Sequence, residues 1–342
     1  MAIIAEQRAD ASFVAALEAA NLHPLWDRYQ RITPIRPQAQ DQPFIWRWRD
    51  IEPFLHRSVK EVAINDIERR ALILAHPAFA NDTTTTSTML AAFTVLEPGD
   101  RARPHRHTGA AIRFATNADG AATIVNGRRC EMRAGDLILT PPMCWHGHIN
   151  ESGRRVIWFD AANMPLIRGL DAHFFEPGNP GANDFWQVDE GDERLWAEAG
   201  LAPDAPRAGA AHSPKYRYAG EATRRMLAAM APGPDGARTL RYVNPTTGGA
   251  VMPTLDCAAI RLSAGAMTRK RRVTYNMICL VVSGRGHSRV GEHTFDWDQH
   301  DVFTIPHWTW ACHQAIGGDA DLFVVSDRSA FENLDLVREE IE

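Results

Sequence analysis

Three histidines, spaced between turn residues, constrain this 342-residue chain more than any other feature. Gly99 is followed by His105-Arg106-His107. Gly135-Asp136 then leads to Pro141, and Trp145-His146-Gly147-His148 with Asn150 closes the stretch. Side chains at i and i+2 leave the same face of a β-strand, so His105 and His107 point together. His146, returning on a neighbouring strand, completes a triangle of neutral nitrogen ligands. A triangle of three leaves coordination positions open, the condition for metal-assisted chemistry rather than a structural metal. Such a site demands a β framework, and residues 88–162 read as short β segments with turn punctuation. Pro98-Gly99-Asp100 is one turn, and Val125-Asn126-Gly127-Arg128 predicts a two-residue hairpin, because Asn-Gly suits positive φ.

The glycines, the proline and the asparagine at these spacings match the two-part signature of the cupin family of small β-barrels. The last third of the chain repeats the same grammar. Gly265 is expected to correspond to Gly99, Arg271-Arg272-Val273-Thr274 to His105-Arg106-His107-Thr108, and Gly286 to Gly120. Asp301 through Pro306 and Trp310 correspond to Asp136 through Pro141 and Trp145. The ligands do not repeat: Arg271, Val273 and Ala311 stand where His105, His107 and His146 stand, so the second barrel is expected to be metal-free. The expected fold is therefore all-β dominated, a bicupin of two double-stranded β-helix (jelly-roll) barrels with a helical N-terminal arm and an inter-barrel linker. Residues 1–87 are read as the arm, 88–165 as the metal-binding barrel and 166–240 as the linker. The second barrel and C-terminal tail follow at 241–342.

Within the arm, residues 9–20 predict a short helix with Phe13 and Leu17 on its apolar face and Asn21 at its end. Residues 44–80, with Phe44, Trp46, Trp48 and Phe54, read as a segment that packs on a barrel and ends in a strand near 70–74. The linker is rich in Pro, Gly and Ala and carries one predicted helix at 219–230. The composition, 45% apolar and 23% charged, is that of an ordinary globular protein of about two domains. A net charge of −5 without a dense basic stripe argues against nucleic acid as a partner. No apolar run is long enough to span a membrane, and charge interrupts the first eight residues too early for a secretory segment. Cys130, Cys144, Cys257, Cys279 and Cys312 are scattered and odd in number, so free thiols in a reducing cytoplasm are expected.

Two further residues bear on the chemistry. If His146 points inward, so does His148, in a position suited either to acid–base work or to plain barrel filling. Arg113 stands where many cupins carry a glutamate ahead of the glycine that here is Gly120. Facing inward, it would add positive charge beside the metal and offer a planar fork to a carboxylate. Facing outward, between Ile112 and Phe114, it would be an ordinary solvated arginine.

Pro104-His-Arg-His-Thr-Gly-Ala-Ala-Ile-Arg-Phe114, Gly135-Asp-Leu-Ile-Leu-Thr-Pro141, Trp145-His-Gly-His-Ile-Asn150 and Val156-Ile-Trp-Phe-Asp160 resemble the gentisate and salicylate 1,2-dioxygenases. The likeness extends to Pro24-Leu-Trp26, Trp46-Arg-Trp48 and Glu68-Arg-Arg-Ala-Leu72 in the arm, and to Asn244-Pro-Thr-Thr-Gly-Gly249 and Met252-Pro-Thr254 before the second barrel. The resemblance implies a homotetramer that binds one Fe(II) per chain through His105, His107 and His146. It also implies cleavage of a 2-hydroxybenzoate by O2 between the carboxylate- and hydroxyl-bearing carbons. Arg69, Arg113, His148 and Asp160 match residues lining the family's substrate pocket. On this reading Arg113 pairs with substrate negative charge, and His148, held by Asp160, moves or donates a proton.

The sequence departs from the family at Leu90 and Thr94, where members commonly show tryptophan and glutamine facing the pocket. A smaller, less polar wall favours a salicylate with another ring substituent, such as 5-nitrosalicylate, beside gentisate. A 1-hydroxy-2-naphthoate dioxygenase is an alternative within the family. An oxalate-type bicupin would want manganese, a glutamate and two complete sites, and a zinc sugar-phosphate isomerase more carboxylate or lysine. A non-catalytic small-molecule-binding bicupin would be expected to lose both ligand sets, and this chain lacks only one.

Overall fold

Short strands joined by tight turns pair antiparallel, and in the computed structural model the sheet ladders among the described residues are of that kind. The structure describes residues 10–26, 28–79, 82–178, 196 and 211–342. Residues 1–9 and most of the central part of the expected linker lie outside the described residues.

Met1–Ala39 form a unit of their own. It contains α1 (Ala11–Ala19) and α2 (Tyr29–Ile32). The Asp10 carboxylate accepts from the Ser12 amide at 3.1 Å and caps α1. Asn21, beyond its C-terminus, is left-handed at φ 55°, as the sequence expects of an asparagine there.

Gln40–Glu342 form the second unit. It opens with β1 (Ile45–Trp46), α3 (Trp48–Glu61) and β2 (Ala71–Ile73). The first barrel follows: β3 (Leu90–Leu96), β4 (Arg101–His107), β5 (Ala111–Asn117), β6 (Ala121–Val125), β7 (Arg128–Met132), β8 (Leu137–Thr140), β9 (His146–Asn150) and β10 (Val156–Ala162). Then come α4 (Met164–Gly169), β11 (Phe175–Pro177), β12 (Arg217–Tyr218), α5 (Gly220–Ala229) and β13 (Ala237–Arg241). The second barrel contains β14 (Asp256–Leu262), β15 (Arg271–Val273), β16 (Met277–Ser283), β17 (Gly286–Val290), β18 (His293–Trp297), β19 (Val302–Ile305), β20 (Ala311–Ala315) and β21 (Ala320–Ser326). α6 (Arg328–Asn333) and β22 (Glu339–Ile341) end the chain.

Each barrel closes from a six-stranded and a five-stranded sheet. The first uses the orders β12-β8-β5-β10-β3-β2 and β11-β4-β9-β6-β7, and the second β1-β19-β16-β21-β14-β13 and β18-β17-β20-β15-β22. The Asn126-Gly127 turn is the expected hairpin: both residues have positive φ, 46° and 78°, and Val125 pairs with Arg128.

The expected linear order of arm, barrel, linker and barrel gives way to interlacing. β1, from the arm, joins the second barrel's sheet, while β12, from the stretch read as linker, joins the first barrel's. β2 goes to the first barrel and β13 to the second. The Asp136 carboxylate accepts from the Gly220 amide at 2.8 Å, the start of α5, and pairs with Arg217. Asp301 does the same for the Trp48 amide at 2.7 Å, the start of α3, and pairs with Arg47. The repeated unit is thus strand, helix, strand and barrel, and each copy's leading strand and the start of its helix are held by the other copy. Strands of two or three residues carry too little alternation to be read from sequence, which is why the arm and linker look unstructured there.

Strand alternation divides the interior into two kinds of space. Phe93, Phe114 and Phe159 leave the outer face of the first barrel's larger sheet and meet Phe323, Tyr242 and Leu280 from the second. Phe114 and Phe323 stack at 4.3 Å. Burial of each such ring is worth roughly 2–3 kcal/mol, so this shared core binds the barrels into one body. The residues between them, at 92, 94, 113, 115, 158 and 160, face into the first barrel.

Candidate metal centre and active site

His105 and His107 sit on β4, and His146 lies directly across from His105 on β9. A ligand nitrogen from each lies within 4.8 Å of the others, and all three residues are buried. Each imidazole is oriented by a backbone carbonyl two residues away. His105 Nδ1 bonds Arg103 O at 3.0 Å, His107 Nδ1 bonds Gly109 O at 2.7 Å, and His146 Nδ1 bonds Cys144 O at 3.0 Å. A carbonyl can only accept, so Nδ1 carries the proton in each ring and Nε2 keeps its lone pair for a metal. His105 Nε2 and His146 Nε2 are buried with no hydrogen-bond partner. Burial, reinforced by the positive charge of Arg69, pushes His105 down to about 3 and His107 to about 4. Burial holds His146 well below its ordinary value too, with Arg113 adding to the effect. Neutral imidazoles with inward lone pairs and unpartnered nitrogens fit a divalent ion.

Arg113 faces inward and is fully buried. Its Nη1 donates to Thr140 Oγ1, and its Nε lies 3.4 Å from Asp160 Oδ1, directly across the β5–β10 ladder. Nη2 has no partner. Burial lowers the guanidinium to about 10, with Asp160 opposing that fall, so the group remains a cation at neutral pH.

Asp160 accepts from Thr94 Oγ1 and, at 3.0 Å, from Trp158 Nε1. Its described partners are therefore Thr94, Trp158 and Arg113, and the expected hold of Asp160 on His148 is not what the structure shows. His148 is fully buried and bonds through Nδ1 to Thr123 Oγ1 at 2.9 Å, because β6 sets Thr123 directly opposite it. Thr94 is buried with its hydroxyl turned to Asp160, whereas Leu90, at the start of β3, is only half-buried. Arg69 is half-buried, close enough to depress His105, His107 and His148. Phe175 on β11 stacks on the His105 ring at 5.3 Å.

Thr123, Thr140, Trp158 and Phe175 were not singled out from sequence. The first three sit at inward positions of strands whose neighbours are apolar. A threonine or tryptophan at the inward phase of an otherwise apolar strand was the available signal.

The strand registers fix what replaces each group in the second barrel. Arg271 pairs with Ala311 as His105 pairs with His146. Cys279 pairs with Val324 as Arg113 pairs with Asp160, and Ile260 and Ile305 take the places of Thr94 and Thr140. Arg271 is engaged by Glu339 and by Tyr275 OH at 3.0 Å. Beside it lies an apolar cluster that includes Trp297, Phe303 and Ile305. One expected correspondence shifts by a residue: Gly286 pairs with Trp297 and Ala315 as Ala121 pairs with Met132 and Asn150, so it matches Ala121 rather than Gly120. A Cβ there would meet Gln314 O at 2.1 Å and the Trp297 ring at 2.4 Å, which explains the glycine. Among the described residues, the first barrel's triad is the one group of histidines, cysteines or carboxylates placed to hold a metal.

A cupin domain model matches residues 92–162, the first barrel. Gentisate 1,2-dioxygenase 1 of Aquipseudomonas alcaligenes is 31% identical over 96% of this chain and 95% of its own length. The chain belongs to the gentisate and salicylate 1,2-dioxygenase family. Within that family, a 5-aminosalicylate 1,2-dioxygenase of Comamonas sp is 33% identical over 94% of this chain and 87% of that protein. The solved structure of salicylate 1,2-dioxygenase from Pseudoaminobacter salicylatoxidans, with adducts of gentisate, superposes with a TM-score of 0.92. It covers 99% of this chain and 96% of that one at 33% identity. The described residues thus show the family's bicupin architecture.

Proposed function

We propose that this protein is an Fe(II)-dependent ring-cleaving dioxygenase acting on a 2-hydroxybenzoate: gentisate, salicylate or a 5-substituted salicylate. The observation that carries this reading is a buried, neutral histidine triad beside a fully buried guanidinium with an unpartnered Nη2. Held by His105, His107 and His146, Fe(II) would supply adjacent open coordination positions at which substrate and O2 are brought together.

The chain's own residues then divide the work. Arg113 and Arg69 give the pocket two positive charges for a carboxylate-bearing substrate, and the Arg113 fork fixes its orientation. Asp160, bonded by Thr94 and Trp158, holds Arg113 in place and partly offsets its charge. His148 faces the substrate with Nε2. Leu90 shapes the wall next to the ring substituent, and Thr94, its hydroxyl committed to Asp160, offers that wall no free donor.

The assembly is proposed to be a homotetramer in the cytoplasm. All five cysteines are buried thiols outside any disulfide, and no helix of the described residues is long and apolar enough to cross a membrane. The test is oxygen uptake by Fe(II)-loaded protein with gentisate, salicylate, 5-aminosalicylate, 5-nitrosalicylate and 1-hydroxy-2-naphthoate. Uptake with loss of the ring absorbance is expected for at least one of the salicylates or gentisate, and none with any of them would refute the reading.

A further inference from the structure

We propose that Thr123 and Met132 fix His148 as the tautomer protonated on Nδ1, so that His148 presents a hydrogen-bond acceptor, not a donor, to the substrate. Each ligand histidine has its tautomer dictated by a carbonyl, which can only accept. His148 differs in having a hydroxyl, Thr123 Oγ1, as the partner of Nδ1. A hydroxyl can take either role, so the tautomer depends on where the threonine proton goes.

Besides His148 Nδ1, the described neighbour that can receive that proton is Met132 Sδ, at 3.7 Å. Sulfur accepts weakly and donates nothing. If Thr123 donates to Met132 and accepts from His148 Nδ1–H, both contacts are satisfied. If it donates to Nδ1, the sulfur contact is lost and an N–H appears on Nε2. Nε2 is buried with no partner, in a barrel where the Arg113 donors Nε and Nη2 also stand without hydrogen bonds. A bare lone pair on Nε2 can accept from such a donor, and an N–H there cannot.

The second barrel contains the opposite arrangement, which makes it an internal control. Ser288 faces His313 as Thr123 faces His148, with Oγ to Nδ1 at 2.7 Å. In place of Met132 stands Trp297, whose indole N–H donates to Ser288 Oγ at 2.9 Å. Indole N–H cannot accept, so of the two partners of Ser288 Oγ only His313 Nδ1 can receive the serine proton. The proton of the imidazole then resides on Nε2. One pair of strands therefore carries a hydroxyl–imidazole pair in both barrels, and the third residue, methionine or tryptophan, sets its polarity.

The inference rests on the ring-cleaving reading only for the identity of the donor, a hydroxyl or amino group on the ring. The test is long-range proton–nitrogen NMR of 15N-histidine-labelled full-length protein loaded with zinc, with the His148 signals identified by their loss in His148→Gln. His148 should show a protonated Nδ1 and a bare Nε2, and His313 the reverse. A protonated Nε2 on His148, or the same tautomer in both barrels, overturns the proposal. Met132→Leu, which removes the sulfur acceptor, should shift His148 toward the Nε2–H form, and an unchanged spectrum overturns the role of Met132. In the Fe(II) enzyme Thr123→Val should lower kcat/KM about tenfold at unchanged iron content, with Thr123→Ser restoring it. Unchanged kcat/KM in Thr123→Val also overturns the proposal. Absence of turnover in the wild type alongside the expected NMR signals refutes the reaction and supports the tautomer.

Discussion

Replacing Arg113 by lysine keeps the charge and removes the geometry, which separates the two contributions of this residue. The guanidinium reaches Thr140 through Nη1 and Asp160 through Nε, leaving Nη2 for the substrate. A lysine has a single nitrogen on a flexible stem and can satisfy Thr140 or Asp160 only at the expense of the fork. Losing one charge-assisted bond corresponds to about 1.5–3 kcal/mol. Appearing in the transition state, that loss lowers kcat/KM by about ten- to a hundredfold. Ammonium is also more strongly hydrated than guanidinium, so the fully buried position penalises it further. Iron content should hold, because no metal ligand contacts the substituted group through a hydrogen bond. Arg113→Met provides the contrast: it leaves Asp160 with only Thr94 and Trp158, and removing one partner of a buried ion pair destabilises by about 3–5 kcal/mol. The assay is steady-state oxygen uptake across a substrate range, with iron analysis and a urea unfolding curve for each variant. Arg113→Lys with wild-type kcat/KM and KM would refute the assigned role.

Metal analysis should give about one iron per chain, lost in His146→Ala, since the second barrel offers Arg271, Val273 and Ala311; a value near two that survives the substitution contradicts this. Metal-free protein should lose stability on acidification. The folded pKa values of His105 and His107, about 3 and about 4, lie below the ordinary 6.5, so the unfolded chain binds more protons in that window and stability falls as pH drops through it. At about pH 5 each of the two contributes a loss of about 2 kcal/mol, and a urea midpoint unchanged from neutral pH would contradict it. Because Leu90 and Thr94 offer no free hydrogen-bonding amide, salicylates with a non-hydroxyl substituent at position 5 should compete well with gentisate in kcat/KM. A strict preference for gentisate, with every other salicylate inert, would show that these two positions do not set specificity.

The triad was legible because two ligands sit at i and i+2 on one strand and the third follows turn residues that are chemically distinctive, Asn126-Gly127 and Gly135-Asp136. The failed ligand set of the second barrel was legible by the same alignment. The orientation of Arg113 was not, because apolar residues flank it on both sides. Alternation identifies an inward face only when the other face is polar, and here the other face is the core shared between the barrels. The same fact hid Thr140 and Trp158, while Thr123 is flanked by Ala122 and Ile124, which cluster with Ile149. The partner of His148 depends on the register between β6 and β9, a pairing across a hairpin excursion that strand pattern alone does not number. Interlacing of arm and linker escaped for a different reason: two-residue strands owe their existence to the sheets they join, not to their own composition.

Trp297 bears on whether the second barrel could ever regain what the first one has. Installing histidines at 271, 273 and 311 would place three nitrogens on matching strands, yet they would border an apolar cluster that contains Trp297, Phe303 and Ala311. The indole is tied to Ser288, leans on Phe303 and is fitted by a glycine that tolerates no side chain. Reversal thus requires emptying a packed interior and then filling the vacated polar positions, Cys279, Val324, Ile260 and Ile305, in concert. Each step taken alone leaves a void or an unpaired buried charge. Loss of a metal site by ligand substitution is a few changes deep, whereas the packing that follows makes it a one-way passage.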